Sequence, residues 1–519
     1  MLPDAAIPDR AYQDALRWLY GLSPNIRTAA QIVADHPRKL GRMRALLAEI
    51  GNPEARFASV LVAGTKGKGS IAANAEAILR AAGLRTGLVT SPHLMSWCER
   101  TRIAGDDIAP ATVGRLMPLV RAAMGRLATR QPALGQPTTF EAGLALSLLA
   151  FAEAGIEVAI VEAGVGGLHD ATNVLNPLAV ALGPISYDHT ATLGTTLAAI
   201  AQEEAGVFRA GRLAVVAQQP AEAHVVVEQA AGTSGARLER IETDWLWQPD
   251  AEDACRSTFG VSGPRGHFAR LTSPLLGRHQ RENAAAAVAL ATGALDVLAG
   301  GPATADDGHA PDPSRVPGAA GAGDYDATAA GGPAVSSATA PPADHVPVAR
   351  SWTPADIYAA VRRGLGSVRW SGRLQVLRQR PWLVLDGAHN GDSAARLAEA
   401  LRACFPATRC RLVFGTSVGK DVSRMLDALL PVASDVTLTR SHHERSVPLD
   451  ELAAALRERG IEPASVADVH EAVSAALQRS GPDDLVIVTG SLFVVGEALE
   501  GFGETPGTFG DDAGERHTQ

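Results

Sequence analysis

A lysine and a serine set among closely spaced glycines form the first stretch able to do chemistry: "VAGTKGKGS", residues 62–70. Glycine lets backbone N–H groups approach phosphate oxygens, and an ammonium such as that of Lys68 neutralises charge on the β- and γ-phosphates. The hydroxyl of Ser70 is placed to reach a Mg2+ ion bound to them. The spacing departs from the common G-x-x-x-x-G-K-[ST] form: Gly64 and Gly67 are three apart, and Gly69 separates Lys68 from Ser70. The same glycines would also make a plain tight turn. Lysine usage favours the site. The 47 basic residues include only four lysines, Lys39, Lys66, Lys68 and Lys420, and three of these fall in two glycine-containing turns. A compact ammonium on a flexible stem follows a phosphate where a rigid guanidinium fork fits poorly.

Two other stretches carry candidate ligands. "VAIVEAGVGGLHDATN" ends an apolar run at Glu162, the carboxyl end at which open α/β sheets bind ligands, and a carboxylate there is a hard oxygen donor suited to Mg2+. "PISYDHTATLG" puts Asp188 and His189 at another apparent strand end. A histidine alone is usually only a hydrogen-bonded residue; beside a phosphate loop and a strand-end acid it becomes a metal or phosphate candidate. The pair His442–His443 in "TRSHHERS" reads as solvated or substrate-facing rather than as a metal site.

These groups need elements to hold them. "FASVLVAG" is a short strand entering the loop, and "SIAANAEAILRAAG" is a helix leaving it and ending at Gly83. That order aims free N–H groups and the positive end of the helix dipole at the loop. The runs "TGLVTS", "VAIVEAG", "LAVALGPIS" and "RLAVVAQ" alternate with helical stretches such as "TFEAGLALSLLAFAEAG". The pattern predicts a mainly parallel sheet covered by helices. Upstream, "DRAYQDALRWLYGL" and "RKLGRMRALLAEIGNP" show helical spacing, the second stopping at Gly-Asn-Pro. Residues 301–350 break the pattern: 29 of the fifty are Ala, Gly or Pro, and none is Leu, Ile, Phe, Met or Trp. Such a segment cannot bury enough apolar surface to offset its ordering entropy, and is predicted to be a disordered insert. Beyond it "WTPADIYAAVRRGL" restarts a helix, and "PWLVLDGAHN", "CRLVFGTS", "DVTLTR" and "DLVIVTGS" read as buried strands. The expected fold is α/β. A P-loop-type parallel-sheet ATP-binding domain takes residues 1–300, a smaller Rossmann-like α/β domain takes 351–500, and 501–519 form a flexible tail.

Composition narrows the function classes. Residues 301–350 carry six Asp against two Arg and the tail four acids against Arg516, which together give seven of the nine net negative charges. The remaining body is near neutral, so nothing electrostatic argues for nucleic acid or an anionic membrane. Cys98, Cys255, Cys404 and Cys410 form no C-x-x-C pair or zinc spacing, which reads as reduced thiols and a cytoplasmic protein. "MLPDAAIPDR" lacks the apolar core of a signal peptide, and no apolar run reaches the ~18 residues of a membrane span.

The chain resembles the folylpolyglutamate synthase/dihydrofolate synthase family, the folate branch of the ATP-dependent Mur-type ligases. The resemblance rests on "RKLGRMRALLAEIGNP", "VAGTKGKGS", "TSPHL", "ERTRIAG", "VEAGVGGLHDATN", "YDHTATLG", "LLGRHQRENAA", "VRWSGRLQVL", "LDGAHN", "FGTSVGKD" and "VTGSLFVVGEA", which occur in family order. The family's own loop reads G-T-N-G-K-G-[ST], so the odd spacing is that branch's form and Lys66 is the local departure. The resemblance implies that Gly67, Lys68, Gly69 and Ser70, with Thr65 beside them, hold the ATP phosphates. It assigns Ser70, Ser91, Glu162 and His189 to magnesium, and Asn283, Arg373 and Asp386 to ATP, with His389 as a further catalytic candidate. Arg373, Asp386 and His389 reach in from the C-terminal domain, so the site is complete only when the domains close. The implied reaction activates a carboxylate of dihydropteroate or a (poly)glutamylated tetrahydrofolate as an acyl phosphate, which the amino group of L-glutamate attacks. The implied cofactors are ATP and two Mg2+ ions, with a monovalent cation admitted, and the implied state is a monomer.

The main departure lies in "AIAQEEAGVFR", where the family reads E-K-A-G with a carbamylated lysine that helps hold the second magnesium. Glu204 stands at that position, and the expectation is that its carboxylate replaces the carbamate directly, as a catalytic residue. Leu168, Ser371 and Gly391 are milder departures, at a family Arg and two family prolines. Two other readings stand beside this one. A Mur-type ligase acting on another carboxylate is disfavoured by "GKGS" and "SPHL". A non-catalytic nucleotide-binding paralogue would follow if Glu204 disabled the second metal.

Overall fold

In a computed structural model the described residues are 10–22, 28–300, 350–406 and 408–502. The sequence readings on the first nine residues, on the insert from 301 to 349 and on the tail from 503 lie outside them. An eight-stranded sheet organises the first part of the chain. Its six parallel strands run in the order Thr86–Val89, Val158–Glu162, Ala58–Ala63, Ala179–Leu182, Leu213–Val216 and Arg237–Arg240. The short antiparallel strands Thr101–Ile103 and Asp106–Asp107 close one edge. Every residue of the three central strands is buried, which explains why they read as continuous apolar runs rather than as alternation.

Helix Lys68–Ala81 leaves the strand Ala58–Ala63 through the glycine loop and is buried on most sides, which its alanine content permits. It packs against helix Arg278–Leu298 and helix Pro354–Ser367. The last contact corrects the domain reading. Pro354–Ser367 is expected in the second domain, yet Val361 and Leu365 are buried with the Lys68–Ala81 helix and the N-terminal sheet. Their apolar face has its partner on the far side of the insert, a relation that local pattern does not contain.

Helix Ala29–Glu49 also begins earlier than predicted and runs through Pro37, fixed at its start by a capping box between Thr28 and Gln31. The buried Arg42 holds it to helix Thr139–Ala154, with Nη2 2.7 Å from Asp35 Oδ2 and 2.9 Å from Glu141 Oε2. A three-stranded antiparallel sheet, Leu246–Glu252, Ser257–Gly263 and Gly266–Ser273, is absent from the sequence reading. Its strands alternate weakly and bulge twice, so no clean period marks them.

The second unit is a mixed six-stranded sheet ordered Gln375–Gln379, Trp382–Leu385, Leu485–Thr489, Cys410–Phe414, Asp435–Leu438 and Ala464–Ser465. Only the first strand is antiparallel to its neighbour. Helices cover both faces, giving two separate cores around the one sheet. This is the α/β pair of domains that the sequence leads one to expect.

Candidate active site

The phosphate loop starts where the strand Ala58–Ala63 ends. Gly67 caps the following helix with φ +77°, and no side chain caps the first turn, so its N–H groups stay available to a ligand. A Cβ at Gly67 would sit 2.4 Å from Asn283 Oδ1, and one at Gly69 would sit 2.5 Å from the Trp370 ring. The two glycines therefore let the loop nest between a helix of its own domain and the segment leading into the second domain. Lys68 Nζ turns back to the loop, 2.6 Å from Gly64 O.

A cleft of about 250 Å3 opens in front of this loop, between the two domains. Thr65, Gly67, Lys68, Gly69, Ser70, Ser91, Glu162, His189, Asn283, Arg373, Asp386 and His389 all line it. Twelve of the thirteen residues singled out from sequence thus meet in one place, although 324 positions separate the first from the last. The exception is Glu204. It ends helix Leu197–Glu204, is 1% exposed, and lies behind the loop, where its Oε2 accepts the Gly64 N–H at 2.8 Å. The structure makes Glu204 a prop for the loop rather than a wall of the cleft.

Burial sets the charges here. It pushes the Glu162 and Glu204 carboxyls up, while the nearby Lys68 ammonium holds both down. Glu162 Oε2 also accepts the Ser91 N–H at 2.9 Å. Asp386 is raised by burial and countered by Arg373; its oxygens accept from Leu374 N at 2.8 Å and Ala388 N at 2.9 Å, which fixes the turn that carries Arg373. Ser70, Ser91 and Glu162 offer oxygen donors that suit a hard divalent cation. Thr65 Oγ1 is buried in the same cleft without a partner among the described residues. The residues present therefore fit a Mg2+–phosphate ligand. His189 stands on the rim in the left-handed conformation, φ +49°, with a half-exposed ring.

Burial also lowers His93, His279 and His389 from 6.5 to about 4, helped by neighbouring Arg or Lys charges. Two of them have partners that suit a neutral ring: Arg100 Nε donates to His93 Nδ1 at 2.8 Å, and His389 Nδ1 lies 2.8 Å from Gly387 O. Because their folded values lie below the unfolded one, the unfolded chain binds more protons between them. Their contribution to stability is complete above pH 6.5 and is lost as pH falls toward 4. The Tm should hold from pH 8 to roughly 6.5 and then fall, and His279→Gln should flatten that fall. Differential scanning calorimetry across this range checks it; an identical slope in the variant contradicts it.

Sequence reading missed two participants, Trp370 and His279, and gave a third, Asp188, no separate role. Trp370 packs on Gly69 and lines the cleft, with Arg102 over its ring at 5.4 Å. His279 lines the cleft two residues after Gly277 in "LLGRHQRENAA". Asp188, named with His189 at the strand end, is the centre of a charge cluster. Lys66 Nζ lies 2.6 Å from Asp188 Oδ2, and Asn390 Nδ2 reaches the same oxygen from the second domain at 3.4 Å. Against the effect of burial, Lys66, His189 and Lys420 hold the Asp188 carboxyl well below the usual range. The lysine count was the available signal, since two of the four lysines, Lys66 and Lys420, act on Asp188 and a third, Lys68, folds onto the loop. Lys66→Asn would remove one positive charge and leave Asp188 facing the phosphates, so nucleotide affinity should fall about tenfold, more steeply at low salt. Calorimetric titration with ADP measures this; unchanged affinity would show that Lys66 serves Asp188 alone.

Comparison with known proteins agrees with this geometry. Residues 62–291 match the Mur ligase middle domain, and residues 372–492 match the Mur ligase glutamate ligase domain. The chain is 30% identical over 466 residues to folylpolyglutamate synthase of Lacticaseibacillus casei, covering 89% of this chain and 92% of that protein. It is 35% identical over 464 residues to a probable bifunctional folylpolyglutamate synthase/dihydropteroate synthase of Haloferax volcanii, covering 88% of this chain but 47% of that one. The chain thus spans about half the length of the bifunctional relatives it matches. Among solved structures, Mycobacterium tuberculosis folylpolyglutamate synthase complexed with ADP and AMPPCP superposes with a TM-score of 0.75 at 26% identity, covering 96% of this chain and all of that one. With both Mur ligase domains in order around one cleft, and a relative of this identity matched over nearly its whole length, the chain belongs to the folylpolyglutamate synthase/dihydrofolate synthase family of Mur ligases.

Proposed function

We propose that this protein is an ATP-dependent ligase that joins L-glutamate to the carboxylate of dihydropteroate, of a (poly)glutamylated tetrahydrofolate, or of both. The observation that carries the reading is the convergence of Lys68, Glu162, Ser91, Asn283, Arg373 and Asp386 on one interdomain cleft. ATP binds with its phosphates on the Thr65–Ser70 turn, where backbone N–H groups and the Lys68 ammonium meet them. Ser70, Ser91, Glu162 and His189 hold Mg2+, which when bound supplies charge neutralisation on the transferred phosphoryl group. Arg373, braced by the Asp386 turn, brings a second cation from the other domain, so phosphoryl transfer waits for closure. The substrate carboxylate displaces ADP from the γ-phosphate, and glutamate nitrogen then displaces phosphate from the acyl phosphate. Excluding water from this closed cleft protects the acyl phosphate from hydrolysis. The working protein is a cytoplasmic monomer, a reading supported by a cleft built from one chain and by four free cysteines. No helix among the described residues is long and apolar enough to cross a membrane.

Phosphate release from ATP with glutamate and, in turn, dihydropteroate, tetrahydrofolate or a muramyl substrate separates the readings. Release with a pterin acceptor alone supports the proposal. Release with the muramyl substrate would place the chain with cell-wall ligases, and ATP binding without release would mark a nucleotide-binding paralogue.

Glu204 has a separable role in this reading. Since its oxygen accepts the Gly64 N–H, it holds the loop that carries Lys68. A glutamine can accept the same bond, so Glu204→Gln should keep activity within roughly threefold, whereas Glu204→Ala orphans a buried N–H, worth about 1–3 kcal/mol. Glu204→Lys should be inactive without bicarbonate and partly rescued by it, through carbamylation. Steady-state kinetics with and without CO2 test all three. If Gln loses as much as Ala, the negative charge itself is required and Glu204 acts on a cation.

A further inference from the structure

Away from the cleft, three side chains from three elements bring donor atoms together. They are His36 in helix Ala29–Glu49, His169 in the turn after strand Val158–Glu162, and Glu203 at the end of helix Leu197–Glu204. Their candidate donor atoms all lie within 4.8 Å of one another, and each residue is partly buried. His169 Nδ1 is 3.0 Å from Glu203 Oε1 and 3.1 Å from Oε2, so one imidazole already faces a bidentate carboxylate. The His36 ring stacks on that of His169 with centroids 4.5 Å apart and planes 15° from parallel.

The two nearest charges outside the cluster, Lys39 and Asp35, act on His36 in opposite senses. Asp35 is committed to Arg42, and Lys39 pairs with Asp170. Two imidazoles and one carboxylate form a donor set of borderline softness, suited to zinc or cobalt and poorly suited to Mg2+. Metal–ligand bonds of about 2.0–2.1 Å make a tetrahedral edge of roughly 3.4 Å. Capture would therefore draw any donor pair inward by no more than about 1.4 Å, a movement within reach of side-chain rotation.

We propose that His36, His169 and Glu203 form a binding site for one divalent transition-metal ion of the zinc type, distinct from the magnesium positions in the cleft. The ion takes three protein ligands, and water completes its tetrahedron. Its position defines its work. The Glu203 carbonyl accepts Gly167 N at 3.0 Å and Leu168 N at 2.7 Å, and the next residue, Glu204, holds Gly64. A metal bound here clamps the Ala29–Glu49 helix, the 163–170 turn and the support of the phosphate loop into one block.

Full-length protein stripped with a chelator and titrated with Co2+ and Zn2+ tests the site without recourse to activity. Wild type should bind one equivalent, with the intense visible bands of tetrahedral Co2+, displaced by Zn2+, and with a rise in Tm. His36→Ala and Glu203→Gln should each weaken binding by at least about tenfold while keeping the native circular dichroism. His442→Ala, which changes the other histidine pair in the chain, should leave binding unchanged. An absence of tetrahedral Co2+ bands in wild type, or binding indifferent to His36→Ala and lost in His442→Ala, would overturn the proposal.

Discussion

Lys68→Ala should lower kcat for ATP-driven ligation about 1,000-fold, the scale on which removal of a single preorganised charge stabiliser acts. Three effects add in the same direction. The ammonium that meets the β- and γ-phosphates disappears, and phosphoryl transfer depends almost wholly on such positioning and charge. Glu162 and Glu204 lose the cation that most opposes the effect of burial on them, so both shift further toward their protonated forms. A protonated Glu162 is a poor ligand for a hard cation, which couples the loop variant to the metal. The loop also loses the internal bond from Lys68 Nζ to Gly64 O. Nucleotide affinity should fall with kcat. Lys68→Arg should not restore the rate, since a planar fork cannot retrace the path of an ammonium folded back on its own loop. Rapid-quench kinetics and calorimetry measure the two losses separately. A loss under tenfold would mean that Lys68 is a structural tie and that the phosphate charge is met elsewhere.

Gly67→Ala is the second large effect, and it acts through shape. The residue sits at φ +77°, a conformation that costs an L side chain about 1–2 kcal/mol. Its new Cβ would also stand 2.4 Å from Asn283 Oδ1, the end of a buried side chain that bonds Gln280, so either that side chain must turn away and lose its bond or the loop must move. A displacement near 1 Å at the phosphates is enough for a loss of about 100-fold in kcat/KM. The double variant Gly67→Ala with Asn283→Ala relieves the clash but not the backbone strain, and Asn283 is itself proposed to contact ATP. Its recovery should therefore be partial, visible mainly as a return of Tm. Full activity in Gly67→Ala would show that the loop tolerates the shift and that its glycine is not required for close approach.

The phosphate loop, Glu162 and His189 were legible from strand ends and a helix start, where local pattern and chemistry coincide, whereas Ser91, Asn283, Arg373, Asp386 and His389 followed only from the family resemblance. Glu162 closes an apolar run and Lys68 opens a helix, and both fall where a parallel sheet presents its carboxyl edge. What could not be read depends on long-range packing. Trp370 reaches Gly69 across 301 positions, and nothing in the local pattern of "VRWSGR" points to the loop. The same applies to helix Pro354–Ser367, whose apolar stripe announces a helix but not the domain it will cover. Glu204 shows the complementary limit. The family resemblance implied a role beside the second magnesium, whereas its carboxylate lies behind the loop and accepts the Gly64 N–H. The antiparallel sheet from Leu246 to Ser273 stayed hidden because its bulges shift the register between partners and blur the two-residue period.

In the proposed reaction the cleft activates a carboxylate by phosphoryl transfer before glutamate attacks it. Dihydropteroate or tetrahydrofolate labelled with 18O in the reacting carboxylate, incubated with ATP, Mg2+ and L-glutamate, tests it most directly. If the carboxylate oxygen takes the γ-phosphoryl group, one 18O per turnover must leave in the inorganic phosphate, and mass spectrometry will find it there alongside the glutamylated product. Unlabelled phosphate released together with that product would contradict the account.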